Sequence, residues 1–406
     1  MTLTMERLWG STLFLTPLLL LTTKNGSVAA IALALIISLY LLFTDRGNIK
    51  LSQLDWLFTI CFCAYFISVI PITIIDGDNF RYFRGGSRIL PLALVYLALR
   101  NIHLDTKRMR PLVEWGTILG LFGAFLLAVF QYYVEGRPRV DGFLYSINFG
   151  YLNCALSFIA FCLAKRSKYK ALLYSCFVLG CATTLMTLTR GAIFAIPILI
   201  ALATLLRTYK FKPKKLLVAI IVLITISIAL YEYAPAVKNR LDYTSHELSE
   251  ILSGDINKST STGARIQLWI ASIEAIKNRP SIGSTYAERE QQIQKMYEME
   301  IINRWTTTVN RGHAHSQYFE MMASGGLLGI AAFILMLFVP LGYFLRHSRQ
   351  SDYAYIGAVF VAGFCIYCLT EAALQQNLIS TFYGFMLAVF LAFTQQELAD
   401  KKDSSP

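Results

Sequence analysis

The chain is predicted to be an all-α polytopic membrane protein of about 12 transmembrane helices, with one long outer loop between spans 9 and 10. Three observations carry this. Hydrophobic residues make up 55% of the 406 and charged residues only 15%, too few to clothe an ordinary soluble domain. Apolar windows of about the 20 residues needed to cross a bilayer recur along the whole length. Lysine and arginine are also spread unevenly over the loops so defined, as they are when charge orients a chain in a membrane.

In order, the spans fall at 8–23, 27–43, 54–74, 86–100, 111–134, 147–164, 170–187, 191–207, 216–234, 317–345, 353–372 and 377–395. The first follows Arg7 and is read as a retained span, not a cleaved signal. The fourth is the weakest, because Pro91 interrupts it and Arg88 lies near its start. The chain thus divides into 1–234 with spans one to nine, 235–316 as an outer helical segment, and 317–406 with the last three spans and a tail. An even span count puts both termini on one side. With that side cytoplasmic, the inner segments hold 20 of the 37 basic residues, the short outer loops seven, and 235–316 the other ten. The net charge of +12 therefore follows from topology, and nothing calls for a nucleic-acid partner. All eight cysteines lie within apolar spans, where Cys61/Cys63 and Cys365/Cys368 read as small packing residues; no disulfide framework is expected.

Six of the seven basic residues in the short outer loops are arginine: Arg81, Arg84, Arg88, Arg137, Arg139 and Arg190. A guanidinium offers a planar fork of donors suited to phosphate, where lysine offers a point charge. Arg81, Arg84 and Arg88 would share one face if their loop is helical. The Asp76-Gly77-Asp78 triplet before them resembles metal-binding carboxylates of nucleotide-sugar enzymes, but those sugars are cytoplasmic and this loop is placed outside. Arg137 and Arg139 belong to an ordinary turn, from which they are candidates to join a site. Arg190 sits in the very short turn Thr187-Leu188-Thr189-Arg190-Gly191, at the hydrocarbon boundary, where an ionised group needs a partner.

Within 235–316, at about 80 residues too small for an independent core, amphipathic helices are expected over the bundle. One should run from a Ser/Thr cap near Thr262 to Pro280, with Ile266, Trp269, Ile270 and Ile273 on its apolar face. Its first turn carries Arg265, which opposes the helix dipole and so implies another benefit. A second helix is expected over about 286–302, as a lid or packing element. The segment from Arg311 to Gly329 then brings two of only five histidines, His313 and His315, to the start of an apolar helix. An unperturbed imidazole titrates near neutrality and can take a proton from a hydroxyl. Gly325, Gly326 and Gly329 read as a small-residue surface for close helix approach. Glu320 and Glu371 are carboxylates near the same boundary, available to balance the arginines; Glu320 is not expected to share a face with His315.

The Thr-x-x-Arg-Gly turn ending at Gly191, Gly263-Ala264-Arg265 at a helix start, and His315-Ser316-x-x-Phe319-Glu320 before a small-residue span, in that order across twelve spans, resemble the bacterial O-antigen ligases. O-antigen polymerases and protein O-oligosaccharyltransferases share the signature, so the acceptor stays open between them. The resemblance covers essentially the full length. It implies an undecaprenyl-diphosphate-linked O-antigen donor, a lipid A–core sugar as acceptor, surrounding membrane lipids, and inverting transfer at the periplasmic face of the inner membrane, with no metal or other cofactor. By matched position it implies that Arg190 and Arg265 hold the diphosphate and that His315, not His313, is the base, although Ser316 stands where asparagine is common. Arg81, Arg84, Arg88, Arg137, Arg139 and His313 are additional candidate contacts. A transporter of lipid-linked glycan is the rival from another class, but the chain shows no paired halves with matching interrupted helices.

Overall fold

The computed structural model describes residues 3–44, 50–77, 80–102, 104–207, 232, 235–253, 261–309 and 313–403. Among these residues every regular element is helical, and the protein is an all-α polytopic membrane protein. Among the described residues eight helices are long and apolar enough to cross a membrane, and a further apolar helix of 17 residues accompanies them. The span expected at 216–234 lies outside the described residues.

Helices α1 (Leu3–Thr22) and α2 (Gly26–Thr44) form the first hairpin. Next come α3 (Gln53–Ser68), started by a reciprocal Ser52–Asp55 capping box, and α4 (Ile70–Asp76), which continues it past Val69 with Pro71 in its first turn. The weakest expected span is indeed in two pieces, α5 (Gly86–Ile89) and α6 (Leu92–Asn101), parted at Leu90-Pro91. Then follow α7 (Thr106–Tyr133), capped by the Asp105 carboxylate, α8 (Ser146–Ala164), α9 (Lys170–Met186) and α10 (Arg190–Arg207). Helices α11 (Pro235–Leu252), α12 (Thr262–Asn278), α13 (Tyr286–Glu298) and the short α14 (Arg304–Val309) follow, none of them among the helices apolar enough to cross a membrane. The chain closes with α15 (Gln317–Phe333), a π turn at Ile334–Phe338, α16 (Val339–His347), α17 (Asp352–Thr370) and α18 (Asn377–Asp403).

Helices apolar all round belong inside a membrane bundle. Accordingly α8, α17 and α18 form its centre, with 83%, 72% and 94% of their apolar windows buried. Outer helices turn large side chains such as Ile36, Phe122, Leu126 and Phe194, 48–63% exposed, to the perimeter that lipid covers. Buried carboxylates fasten the other end of the bundle from the site described below. Asp352, at the first turn of α17, takes Arg110 at 2.8 Å and Arg166 and Arg207 at 3.3 Å. Asp55 takes the Tyr96 hydroxyl at 2.6 Å and Arg100 at 3.3 Å. Because Arg207 ends α10 and Arg190 begins it, these two arginines mark opposite ends of one helix.

Three local expectations are corrected. Gly326 does not serve a smooth small-residue surface: at φ +56° it breaks α15, and the chain after α12 enters the break. There Leu327 N–H donates to Pro280 O at 2.8 Å, Leu328 N–H to Ser281 O at 3.2 Å and Ser284 N–H to Ala323 O at 2.8 Å. A Cβ at Gly326 would press on the backbone of Pro280 and Ile282, so glycine meets two needs at once. The buried stripe of α12 is Ala264, Leu268, Ala271 and Ala275, while Ile273 is 42% exposed. This stripe meets Ile293 and Met296 of α13 and Ile302 in a small core of its own, which the composition had not suggested. Lastly, Arg81, Arg84 and Arg88 do not line one helix, because a 3₁₀ turn (Phe80–Phe83) and α5 divide their segment.

Candidate functional site

The turn into α10 is built by threonines. Thr187 Oγ1 donates to Thr184 O at 2.7 Å and Thr189 Oγ1 to Ser146 O at 3.0 Å. Between them Leu188 is held at φ +52°, a left-handed conformation that a branched residue adopts only under constraint. Arg139, expected only as a candidate, braces the same turn, with Nε donating to Thr187 O at 2.8 Å. Next to Arg190, a Cβ at Gly191 would collide with the Thr370 hydroxyl and press on the Tyr151 hydroxyl. Glycine therefore lets the turn close onto the end of α17, immediately before Glu371. The Arg190 guanidinium donates from Nη1 to Glu247 Oε2 at 2.8 Å and Thr262 Oγ1 at 3.0 Å. Its Nε and Nη2 are buried without a hydrogen-bond partner.

Helix α12 begins on the same carboxylate. Ser261, at its N-cap, makes no side-chain cap, which corrects the expected Ser/Thr cap. Instead Glu247 Oε1 accepts the Ser261 and Thr262 N–H groups at 2.7 and 3.1 Å. One turn on, Arg265 has no carboxylate within ion-pairing distance among the described residues, and its charge acts on Glu371 and the Tyr151 hydroxyl. Trp269, on the following turn, donates to Ala314 O at 3.1 Å and stacks on Phe319 at 5.0 Å, so α12 also grips the histidine loop.

His315 itself stands at φ +48°, the second strained residue of the site. The loop is held from below by Glu320, fully buried, which accepts Ala314 N–H at 2.9 Å and pairs fork to fork with Arg289 at 2.9 and 2.8 Å. Burial works against the Arg289 cation, but the Glu320 charge and hydrogen bonds more than offset it and raise its pKa. On the other side His315 Nδ1 lies 3.3 Å from Glu371 Oε2, and His313 Nδ1 lies 3.6 Å from Oε1. Burial would raise the Glu371 pKa; the hydrogen bond from His315 and the positive charges of His315, His313 and Arg265 instead bring it to about 2. An ionised Glu371 makes Nδ1 of His315 the protonated nitrogen and leaves the lone pair of the neutral ring on Nε2. His313 is different: its Nδ1 accepts the His315 backbone N–H at 3.2 Å, so that nitrogen carries no proton. Burial lowers the His313 pKa, against the pull of Glu371.

The other expected contacts are dispersed. Arg81 lies over the Tyr286 ring at 4.5 Å, Arg84 is exposed, and Arg88 donates to Gln375 O at 3.1 Å. Arg137 is paired with Glu135 at 2.6 Å and with Asp141. Sequence reasoning missed Glu247, Arg289 and the pairing of Glu371 with His315. Of these only Glu371 had a local signal, its place at the end of an apolar span. His313, His315 and Glu371 also form a possible metal-ligand group, with ligating atoms within 4.8 Å of one another. Both Nδ1 atoms and the carboxylate are already committed to hydrogen bonds, an arrangement fitted to proton transfer.

Lipid-facing helices around a buried charged centre define a multi-pass membrane protein, and its candidate functional site is the imidazole–carboxylate pair and two arginines gathered at one end. The model of one family, described as O-antigen ligase, matches residues 175–334, from α9 through the arginine turn, α12 and the histidine loop into α15. This match supports membership of the O-antigen ligase superfamily. It is also 24% identical over 400 residues to a Haemophilus influenzae protein named only as uncharacterized, covering 94% of this chain and 96% of that one. The match supports a glycosyltransferase-like role in O-antigen processing, on lipid-linked polysaccharide in a membrane.

Proposed function

We propose that the protein transfers O-antigen polysaccharide from undecaprenyl diphosphate to a sugar hydroxyl of the lipid A core, at the periplasmic face of the inner membrane. The observation that carries this reading is the His315–Glu371 pair set beside Arg190, whose Nε–Nη2 edge is buried without a partner, and Arg265, which has no ion pair among the described residues. A guanidinium edge is shaped for two oxygens of a phosphate. Helices α11 to α14 act as the cover of that site.

In the reaction the acceptor hydroxyl attacks the anomeric carbon as its bond to the diphosphate oxygen breaks. The hydroxyl proton passes to Nε2 of His315, and the bonding electron pair leaves with undecaprenyl diphosphate. Ionised Glu371 stabilises the imidazolium so formed, as a carboxylate does in other base–orienter pairs. Arg190 and Arg265 face the charge that grows on the leaving group, so they bind the transition state more tightly than the ground state. Such preorganised cations supply the stabilisation for which other glycosyl transfers use a metal. Attack opposite the leaving group inverts the anomeric centre.

Purified protein in detergent, given donor and acceptor, should form the conjugate without sealed vesicles. His315→Ala and Arg265→Ala should each lower transfer by about 10² or more while reaching the membrane at normal levels; activity kept by either variant removes that residue from its role. Cells without the protein should make core without any O-antigen. Core bearing a single repeat unit would instead identify a polymerase.

A further inference from the structure

The two buried arginine–carboxylate pairs of the site differ in a way that assigns a task to Glu247. Arg289 and Glu320 meet fork to fork, each Nη on its own carboxylate oxygen. This is the geometry that satisfies a buried ion pair most completely. Arg190 and Glu247 are also largely enclosed, at 17% and 2% exposure against 10% and 0% for Arg289 and Glu320, yet only one nitrogen of Arg190 is engaged. Nη1 is held at 2.8 Å by Glu247 Oε2 and at 3.0 Å by Thr262 Oγ1, and the Thr262 hydroxyl itself donates to Oε2 at 3.1 Å. The Tyr243 ring, one turn before Glu247 on α11, lies 5.6 Å from Cζ of Arg190. The remaining edge, Nε and Nη2, is buried and donates to nothing. The fork-to-fork Arg289–Glu320 pair leaves no such edge. The other carboxylate oxygen, Oε1, binds the Ser261 and Thr262 N–H groups that open α12, three residues ahead of Arg265.

We infer that Glu247 is a positioning residue: one carboxylate fixes Nη1 of Arg190 and the first turn of α12 together, so that the Nε–Nη2 edge and Arg265 meet the same diphosphate. This rests on the diphosphate reading given above. Glu247 touches no substrate in this role. It sets the orientation of one guanidinium, 57 residues before it in the sequence, and that group's spacing from the other.

The test uses the full-length protein in detergent with undecaprenyl diphosphate as probe. Glu247→Gln can keep an oxygen toward the Ser261 and Thr262 N–H groups while turning an N–H₂ donor toward Nη1. It should therefore release the guanidinium without uncapping the helix. We expect probe binding to weaken about tenfold or more in Glu247→Gln and in Arg190→Ala, and the double variant to bind no worse than Arg190→Ala alone. Thr262→Val, which removes the second hold on Nη1 and leaves Glu247 in place, should weaken binding several-fold with an unchanged melting temperature, so a poorly folding Glu247→Gln does not leave the question open. The inference is overturned if Glu247→Gln and Thr262→Val bind like wild type while Arg190→Ala does not, or if the losses multiply in the double variant. Wild-type binding by Arg190→Ala would instead remove the diphosphate reading of that arginine, and Glu247 would have nothing to position.

Discussion

Replacing Glu371 with glutamine tests the base most directly, because it removes a charge and almost no volume. The amide oxygen can still accept the proton of His315 Nδ1, so the tautomer that leaves the lone pair on Nε2 survives, and what is lost is the attraction between carboxylate and imidazolium. At the observed 3.3 Å, and with an effective dielectric constant of about 20, that attraction is roughly 5 kcal/mol. Part of it is offset by the retained hydrogen bond and by relaxation around the buried carboxylate, so about 3–4 kcal/mol should appear in the barrier. The corresponding fall in kcat is about 10² to 10³, within the range that general-base catalysis spans. Steady-state transfer in detergent, with donor and acceptor varied separately, measures it. The KM for donor should stay within about twofold, since the glutamine touches neither arginine. A variant that keeps more than a third of wild-type kcat while His315→Ala is inactive would show that Glu371 does not support the base.

Arg289→Met should leave Glu320 charged and alone beneath the histidine loop, costing about 3–5 kcal/mol and lowering the melting temperature; Arg289→Met/Glu320→Met should recover most of that loss, and melting curves of the two variants decide it. Chelators should leave transfer unchanged, because the charge on the departing diphosphate is met by guanidinium groups; activity lost to EDTA and restored by magnesium would refute this. Acid should destabilise the protein through Glu371. Its folded pKa, about 2, lies below the ordinary carboxylate value near 4.5, so its contribution is fully present above about pH 4.5 and is lost as pH falls towards 2. A shift of that size corresponds to roughly 3 kcal/mol, and a melting temperature as acid-sensitive in Glu371→Gln as in wild type would contradict it.

Bilayer physics made much of this protein legible from its residues. A spanning helix must satisfy its backbone within one contiguous apolar stretch, so the all-α class, the interruption at Pro91, and the end of the bundle bearing Arg190 and His315 could be read from local runs of sequence. The short turn at Thr187–Gly191, the arginine in the first turn of α12 and the histidine before α15 were visible for the same reason, each being a charged group at the end of an apolar or amphipathic run.

Tertiary structure decided what these groups pair with. The carboxylates that hold them lie 56, 57 and 31 residues away along the chain, for His315, Arg190 and Arg289 respectively, and no periodicity links positions so distant. The break at Gly326 was equally hidden. A glycine in an apolar run serves close helix packing or a left-handed backbone equally well, and only the insertion of Pro280–Ser284 settles which. Local hydrophobicity fixed where the chain crosses the membrane; pairing of buried charge, set by the folded helices, fixed which side chains face one another.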